Sequence, residues 1–303
     1  MACTTYTTPM NVWTATDAGF RIWGKAWTDI IDLMGFEQVY SNIDWATAIM
    51  PTGSTTYAGK RIYRFNDALS ANREIYFSVE FGRGSTSSAT YGFAIRLGVG
   101  THHDGTGVLT NFSFNNYLTQ IQSPPDGGEI VGVRSHLGFS IFTNLNSGTY
   151  QQAGFAIERL AENTVPSVDG VVCMLTGASV NTASSLTSSV FQTANYAGAN
   201  VFAAVGGQGS SNSDLAFANI QSIPHTSDPS YAAKAPAMTM ATFGKYDPCY
   251  HWLFTSRYMY SAASEFFATI NGVDGLFRIP VTGFYGDNAS TSYMVARLAM
   301  RVS

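Results

Sequence analysis

The residues best suited to chemistry in this sequence are His102, His103 and Asp104, which run directly into Gly105-Thr106-Gly107. Imidazoles and carboxylates ligate metals, and Asp followed by Gly favours a tight turn. Adjacent residues on an extended chain point to opposite faces, however, so the two histidines do not grip one ion together. No further ligand lies at zinc-site spacing, and a calcium loop would need alternating oxygen ligands where only Thr106 and Thr110 follow. The cluster reads as a glycine-rich β-turn. Glycoside cleavage needs two carboxylates about 5 to 10 Å apart. Glu74 and Glu80 share a strand face but would sit ~20 Å apart at β rise. Glu158-Arg159 suits an ion pair or a strand-end cap better. There is no Gly-x-Ser-x-Gly elbow, and Gly98-Val99-Gly100 and Gly206-Gly207-Gln208-Gly209 lack the Lys and following helix of a phosphate loop. The expectation is a chain that is not an enzyme and uses no cofactor or metal.

A second group is aromatic: Tyr246, Tyr250, Trp252, Phe254, Tyr258 and Tyr260 crowd together. Exposed, such rings would stack on sugars; alternating along a strand, half would be core and half an interface. Tyr246, Tyr250, Trp252, Tyr258 and Tyr260 are therefore the candidate interface or glycan-contact residues.

Positioning these groups requires elements, and one helix is legible. Thr16-Asp17 offers a cap, and Phe20, Trp23, Trp27, Ile30, Ile31 and Met34 follow at helical spacing up to Gly35. After Gly35 the apolar period becomes two. Strands are expected within 39–49, 57–65, 74–81, 91–99, 130–142, 151–160 and 171–175. Further ones fall within 200–205, 216–223, 237–243, 250–260, 276–279 and 292–302, with turn clusters between them. The pattern predicts a mainly β fold: β-sandwich-like packed antiparallel sheets with one N-terminal amphipathic helix. Residues 1–175 form the helix and sandwich as a docking part. Residues 176–303 hold a Ser/Thr/Asn-rich excursion and further strands that can complete the same domain.

The 303 residues carry 12% charged side chains, about half the usual share, with 29 Gly and 14% aromatics. Disorder needs the opposite balance. A net charge of −4 supplies no basic field for nucleic acid. No apolar run suits a membrane; the uncharged stretch Gly170–Ser213 is too rich in Ser, Thr and Asn. Cys3, Cys173 and Cys249 form no close pair, which argues against a disulfide framework. Four Lys against twelve Arg is the remaining oddity, because Arg is favoured where one side chain makes several hydrogen bonds, as at interfaces. These features predict a chain that works inside an assembly, and the start Met1-Ala2-Cys3-Thr4-Thr5-Tyr6, lacking the basic and apolar regions of a signal peptide, predicts one built in a cytosol.

The order of short motifs carries a resemblance. Phe20-Arg21-Ile22-Trp23-Gly24 and Met34-Gly35-Phe36 lead to Ile43-Asp44-Trp45-Ala46-Thr47 and Tyr63-Arg64-Phe65-Asn66-Asp67. Ile75 to Gly82, Leu97-Gly98-Val99-Gly100, Asp104 to Gly107 and Gly154-Phe155-Ala156-Ile157-Glu158-Arg159 follow. Together they resemble poorly characterised virion structural proteins encoded among the tail genes of tailed bacteriophages. The resemblance implies a component of the tail, baseplate or neck, with the tail tip or baseplate as the leading expectation, assembled in the host bacterial cytoplasm. Its partners would be copies of itself, in threefold or sixfold arrangement, and other virion proteins. It implies no catalytic residue. The alternative expectation is a receptor- or glycan-binding tail module that meets a host-surface glycan.

Overall fold

The computed structural model describes residues 3–52, 56–68, 70–71, 74–83, 93–110, 113–120, 127–145, 153–159, 161–162, 165–166, 171–178, 199–203, 238–239, 250–256, 265–270, 273–278 and 296–303. The helix stands where the spacing predicts it. Helix α1 spans Asp17–Leu33, with the Thr16 side chain accepting the Gly19 N–H and Asp17 in the first turn. Phe20, Trp23, Trp27, Ile30 and Ile31 form its buried face. Its end is closed from outside: Gly35 turns with φ 76°, Arg134 donates to the Met34 carbonyl, and Asn66 Nδ2 donates to the Gly35 carbonyl at 2.8 Å. Orphan carbonyls at a helix end attract such donors, and a cation there also suits the helix dipole.

Three antiparallel sheets account for most strands, numbered in chain order. The first runs β1 (Thr4–Met10), β9 (Gly128–Arg134), β10 (Gly138–Leu145), β11 (Ala153–Arg159), β14 (Val171–Ala178), β15 (Ala199–Ala203). The second runs β2 (Glu37–Ser41), β3 (Tyr57–Arg64), β4 (Tyr76–Arg83), β5 (Phe93–Gly100), β8 (Ser113–Gln120). The third runs β16 (Met238–Thr239), β17 (Trp252–Ser256), β20 (Ala296–Arg301), β19 (Val273–Arg278), β18 (Glu265–Ile270). Two short pairs complete the set, β6 (His102–His103) with β7 (Leu109–Thr110) and β12 (Ala161–Glu162) with β13 (Val165–Pro166). The fold is mainly β with a single helix among the described residues, and that helix is too short and polar to cross a membrane.

Alternation decides the faces. On β4 and β5, Phe77, Val79, Phe81, Phe93, Ile95, Leu97 and Val99 point inward, while Glu80 pairs outward with its cross-strand neighbour Arg96. From the first sheet, Ile130, Phe139, Ile141, Phe155 and Ile157 join the same core. The two sheets touch directly where Phe77 meets Phe139 at 4.9 Å, with Phe36 wedged 4.7 Å from Phe139. Elsewhere the helix fills the gap, with Trp23 edge-on to Phe81 and Trp27 against Phe155. Each such ring, fully buried, contributes roughly 1.5–3 kcal/mol.

Several boundaries differ from the sequence expectation. Strand β1 precedes the helix, where no strand is expected; its inward residues Tyr6, Thr8 and Met10 alternate with exposed Thr and Pro. The run within 39–49 is not one strand. Strand β2 stops at Ser41, and Asp44 then folds a turn by accepting the Ala46 N–H at 2.9 Å and the Thr47 hydroxyl at 3.1 Å. That turn drops Trp45 into the core, where its Nε1 donates to Thr28 at 2.9 Å. The run within 130–142 is a hairpin, β9 and β10, closed by the Ser135 N–H on the Gly138 carbonyl. Strands β8 and β18 lie in segments not expected to pair. The first sheet also extends past residue 175 to include β15. The expected strand within 216–223 lies outside the described residues, as does most of Gly170–Ser213.

Gly24 marks the closest helix contact. A Cβ there would lie 2.0 Å from Cη2 of Trp45, inside the packed core. Ala is normally worth ~1 kcal/mol more than Gly in a helix interior. Gly24→Ala should nevertheless lower stability, by about 1–3 kcal/mol, because overpacking outweighs propensity. Urea denaturation followed by tryptophan fluorescence measures this; a stabilised variant would mean that the indole moves freely.

Candidate functional site

The His102–Gly107 cluster folds as the tip of the β6–β7 hairpin and uses its own ligands. Asp104 Oδ1 accepts the N–H groups of Thr106 at 2.7 Å and Val108 at 3.0 Å, and Oδ2 accepts the Thr106 hydroxyl at 2.6 Å. These bonds pull the Asp104 pKa down to about 2. His103 Nε2 accepts the Gly107 N–H at 3.2 Å, and its ring packs beside Tyr40. The carboxylate therefore holds the loop together rather than waiting for a cation. Among the described residues, no group of three or more His, Cys, Asp or Glu side chains is arranged to hold a metal ion.

The aromatic run divides. Tyr246, Tyr258 and Tyr260 lie outside the described residues. Trp252 opens β17. Tyr250 is 3% exposed, packed with Leu137 and Ala161 and touched by Cys3 and Val273, so its ring offers no face to a sugar. Burial beneath a neighbouring guanidinium is the reason.

Around Tyr250 the structure assembles a polar junction that sequence spacing does not show. Strand β11 ends in Glu158-Arg159, and both side chains are buried. Glu158, 1% exposed, accepts two backbone N–H groups of the segment entering β17: Tyr250 on Oε1 at 2.5 Å and His251 on Oε2 at 3.0 Å. Arg301 on β20 donates from Nε to the Tyr250 carbonyl at 2.7 Å, and from Nη1 to the carbonyls of Asp274 at 3.3 Å and Ser303 at 3.2 Å. Its guanidinium lies 3.8 Å over the Tyr250 ring and 4.7 Å from that of Phe277. His251 Nε2 lies 2.7 Å from Ser135 Oγ, which also accepts the Leu137 N–H. Arg159 turns the other way, to a two-pronged pair with Asp67 at 2.6 and 3.1 Å.

Electrostatics explains the roles. Burial raises the Glu158 pKa to about 7, against the opposing pull of the two N–H groups and Arg301. Burial, with Arg301 and His136 nearby, lowers that of His251 to about 3, so the imidazole is neutral. A Ser–His contact is the geometry of a nucleophile and its base. Here both residues are buried and the hydroxyl is held by the Leu137 N–H, so the contact acts as a tie between the β9–β10 hairpin and β17. The junction fastens the third sheet to the first.

The arginines follow the same rule. Arg21 donates to the Ala48 carbonyl, Arg83 to that of Thr52, and Arg61, Arg64, Arg96 and Arg278 pair with Asp32, Glu37 and Glu74, Glu80 and Glu265. Among the described residues, these arginines engage this chain's own carbonyls and carboxylates. The sequence signal for the junction was slight: an acid–base pair closing an apolar run at Glu158-Arg159. Nothing in the spacing marks His251 or Arg301 as its partners.

Two outcomes follow for the junction. Glu158→Ala should cost about 1–3 kcal/mol for each buried N–H left unpaired, seen as a lower urea midpoint. The second concerns pH. The His251 contribution is complete above 6.5 and is lost as pH falls toward about 3. The Glu158 contribution is complete below 4.5 and is lost as pH rises through about 7. Between 4.5 and 6.5 the two slopes oppose and cancel. Glu158→Gln isolates one of them. The parent-minus-variant stability difference should be constant below pH 4.5 and fall by ~1.4 kcal/mol per pH unit from there to about 7. A difference independent of pH would refute the assignment.

No protein family, curated protein or solved structure matches this chain.

Proposed function

We propose that this chain is a structural component of a tailed-phage virion, at the tail tip or baseplate, acting by multimeric assembly with itself and with other virion proteins. One observation carries the reading from the side of the structure. Among the described residues, the fully buried charged side chains, Glu158, Arg159 and Arg301, each join one element to another. Buried charge is costly, and a protein that uses it for joints is built as a scaffold. The motif order from Phe20 to Arg159 supplies the phage setting. Around a tail axis the copies close as a ring, for which we propose three or six members.

The glycan-binding alternative draws less support, because Tyr250, in the middle of the aromatic run, is buried under Arg301. Mass spectrometry of purified virions tests the assembly reading. Peptides of this chain should survive washing that strips loosely bound protein, in a fixed ratio to the tail proteins. Their absence from washed particles would refute it.

A further inference from the structure

Edges of sheets are where β proteins pair with other chains, and natural proteins protect them. Most edges here carry such a device. Strand β1 contains Pro9; β2 has a register irregularity at Gln38/Tyr40 and begins with Glu37; β16 is two residues long. Strands β8 and β15, the remaining edges of the first two sheets, lie against each other. Strand β18 shares only a leading acid, Glu265, with these: among the described residues it has no proline, no register irregularity and no covering strand. Phe267, at its middle, is 78% exposed, the most exposed large apolar side chain among the described residues.

Among the described residues, no strand lies on the outer side of β18. Ile270 pairs with Val273, and partners separated by two residues form a hydrogen-bonded pair. By alternation Ala268 and Phe266 also bond to β19, while Thr269, Phe267 and Glu265 direct N–H and C=O away from it. Leu276, opposite Phe267, confirms this phase. Its N–H donates to the Ser303 carbonyl at 3.2 Å and its carbonyl accepts the Val302 N–H at 2.8 Å, both on the side away from β18. Glu265, Phe267 and Thr269 thus present three outward donor–acceptor positions beside an exposed ring.

We propose that β18 is a self-pairing edge, docking antiparallel onto β18 of a second copy across a two-fold axis at Phe267. In that register Phe267 faces Phe267 of the second copy as a hydrogen-bonded pair, with the two rings side by side on one face. Glu265 then faces Thr269 of the second copy, and the reverse, so the only charge on the strand never meets its own kind. Glu265 keeps its 2.6 Å pair with Arg278 on the far side. All three outward positions are satisfied at once, and the contact closes on itself as an isologous interface must. A two-fold contact joins a ring only as part of a dihedral assembly or as a link between rings. The inference rests on the assembly reading only for that setting.

Sedimentation equilibrium of the purified full chain tests it. The parent should be dimeric at high concentration. Phe267→Lys and Thr269→Pro should both be monomeric, with unchanged circular dichroism and thermal midpoint, because neither position bonds to β19. Proline at residue 269 removes only an outward N–H. A monomeric parent, or a dimer that survives both substitutions, overturns the proposal. The virion test is separate: a monomeric chain found in washed particles refutes this contact and leaves the assembly reading standing, whereas a β18-dependent dimer absent from particles does the reverse.

Discussion

The buried carboxylate of Glu158 is the constraint on which the placement of the third sheet against the first depends. An ion taken into an interior costs several kcal/mol, and only well-placed hydrogen bonds and a counter-charge offset that. Glu158 has both, in the Tyr250 and His251 N–H groups and in Arg301 behind them. Hydrogen bonds to a charged group are worth about 1.5–3 kcal/mol each, so the two bonds offset part of the burial cost, and burial remains the larger effect. The balance holds only in one geometry. If β17 shifts by one residue, the carboxylate loses its donors while remaining buried.

That demand propagates. Arg301 fixes the Tyr250 carbonyl, so the peptide that receives Glu158 on one side is held by β20 on the other. Stacking of Arg301 between the Tyr250 and Phe277 rings ties β19 into the same point. His251 adds a neutral contact to Ser135, and the hairpin that carries Ser135 belongs to the sheet that carries Glu158. The junction is a closed circuit of contacts rather than a chain of them. Removing one member strands the others in an apolar site, which is why such networks specify a single arrangement more than they add net stability.

The sparse charge is put to structural use. Several of the described charges sit where elements meet: at the end of α1 through Arg134, between β4 and β5 through Glu80 and Arg96, at the Asp67–Arg159 pair, and where Glu158 and Arg301 both hold Tyr250. Arg serves here because its fork reaches two or three carbonyls at once, which Lys does not match geometrically. A body braced in this way presents its edges in fixed positions.

Local pattern determined a good deal by itself. Helical spacing from Phe20 to Met34 and a cap at Thr16 specified α1, because a buried stripe at a period of 3.6 leaves few alternatives. Alternation in Ile75 to Phe81 and Tyr91 to Val99 determined which side chains face the core. The turn at Asp104 was legible as well, since its bonds reach only four residues. The hairpin at Ser135–Gly138 and the turn at Asp44 were not, because an apolar run reads the same whether it continues or folds back. Only the tertiary structure decided the junction. Glu158, Tyr250 and Arg301 are separated by 92 and 51 residues, and no local preference encodes which distant N–H a carboxylate will find. Tyr250 shows the consequence: its sequence neighbourhood suggests an exposed ring, and a guanidinium from another strand makes it part of the core.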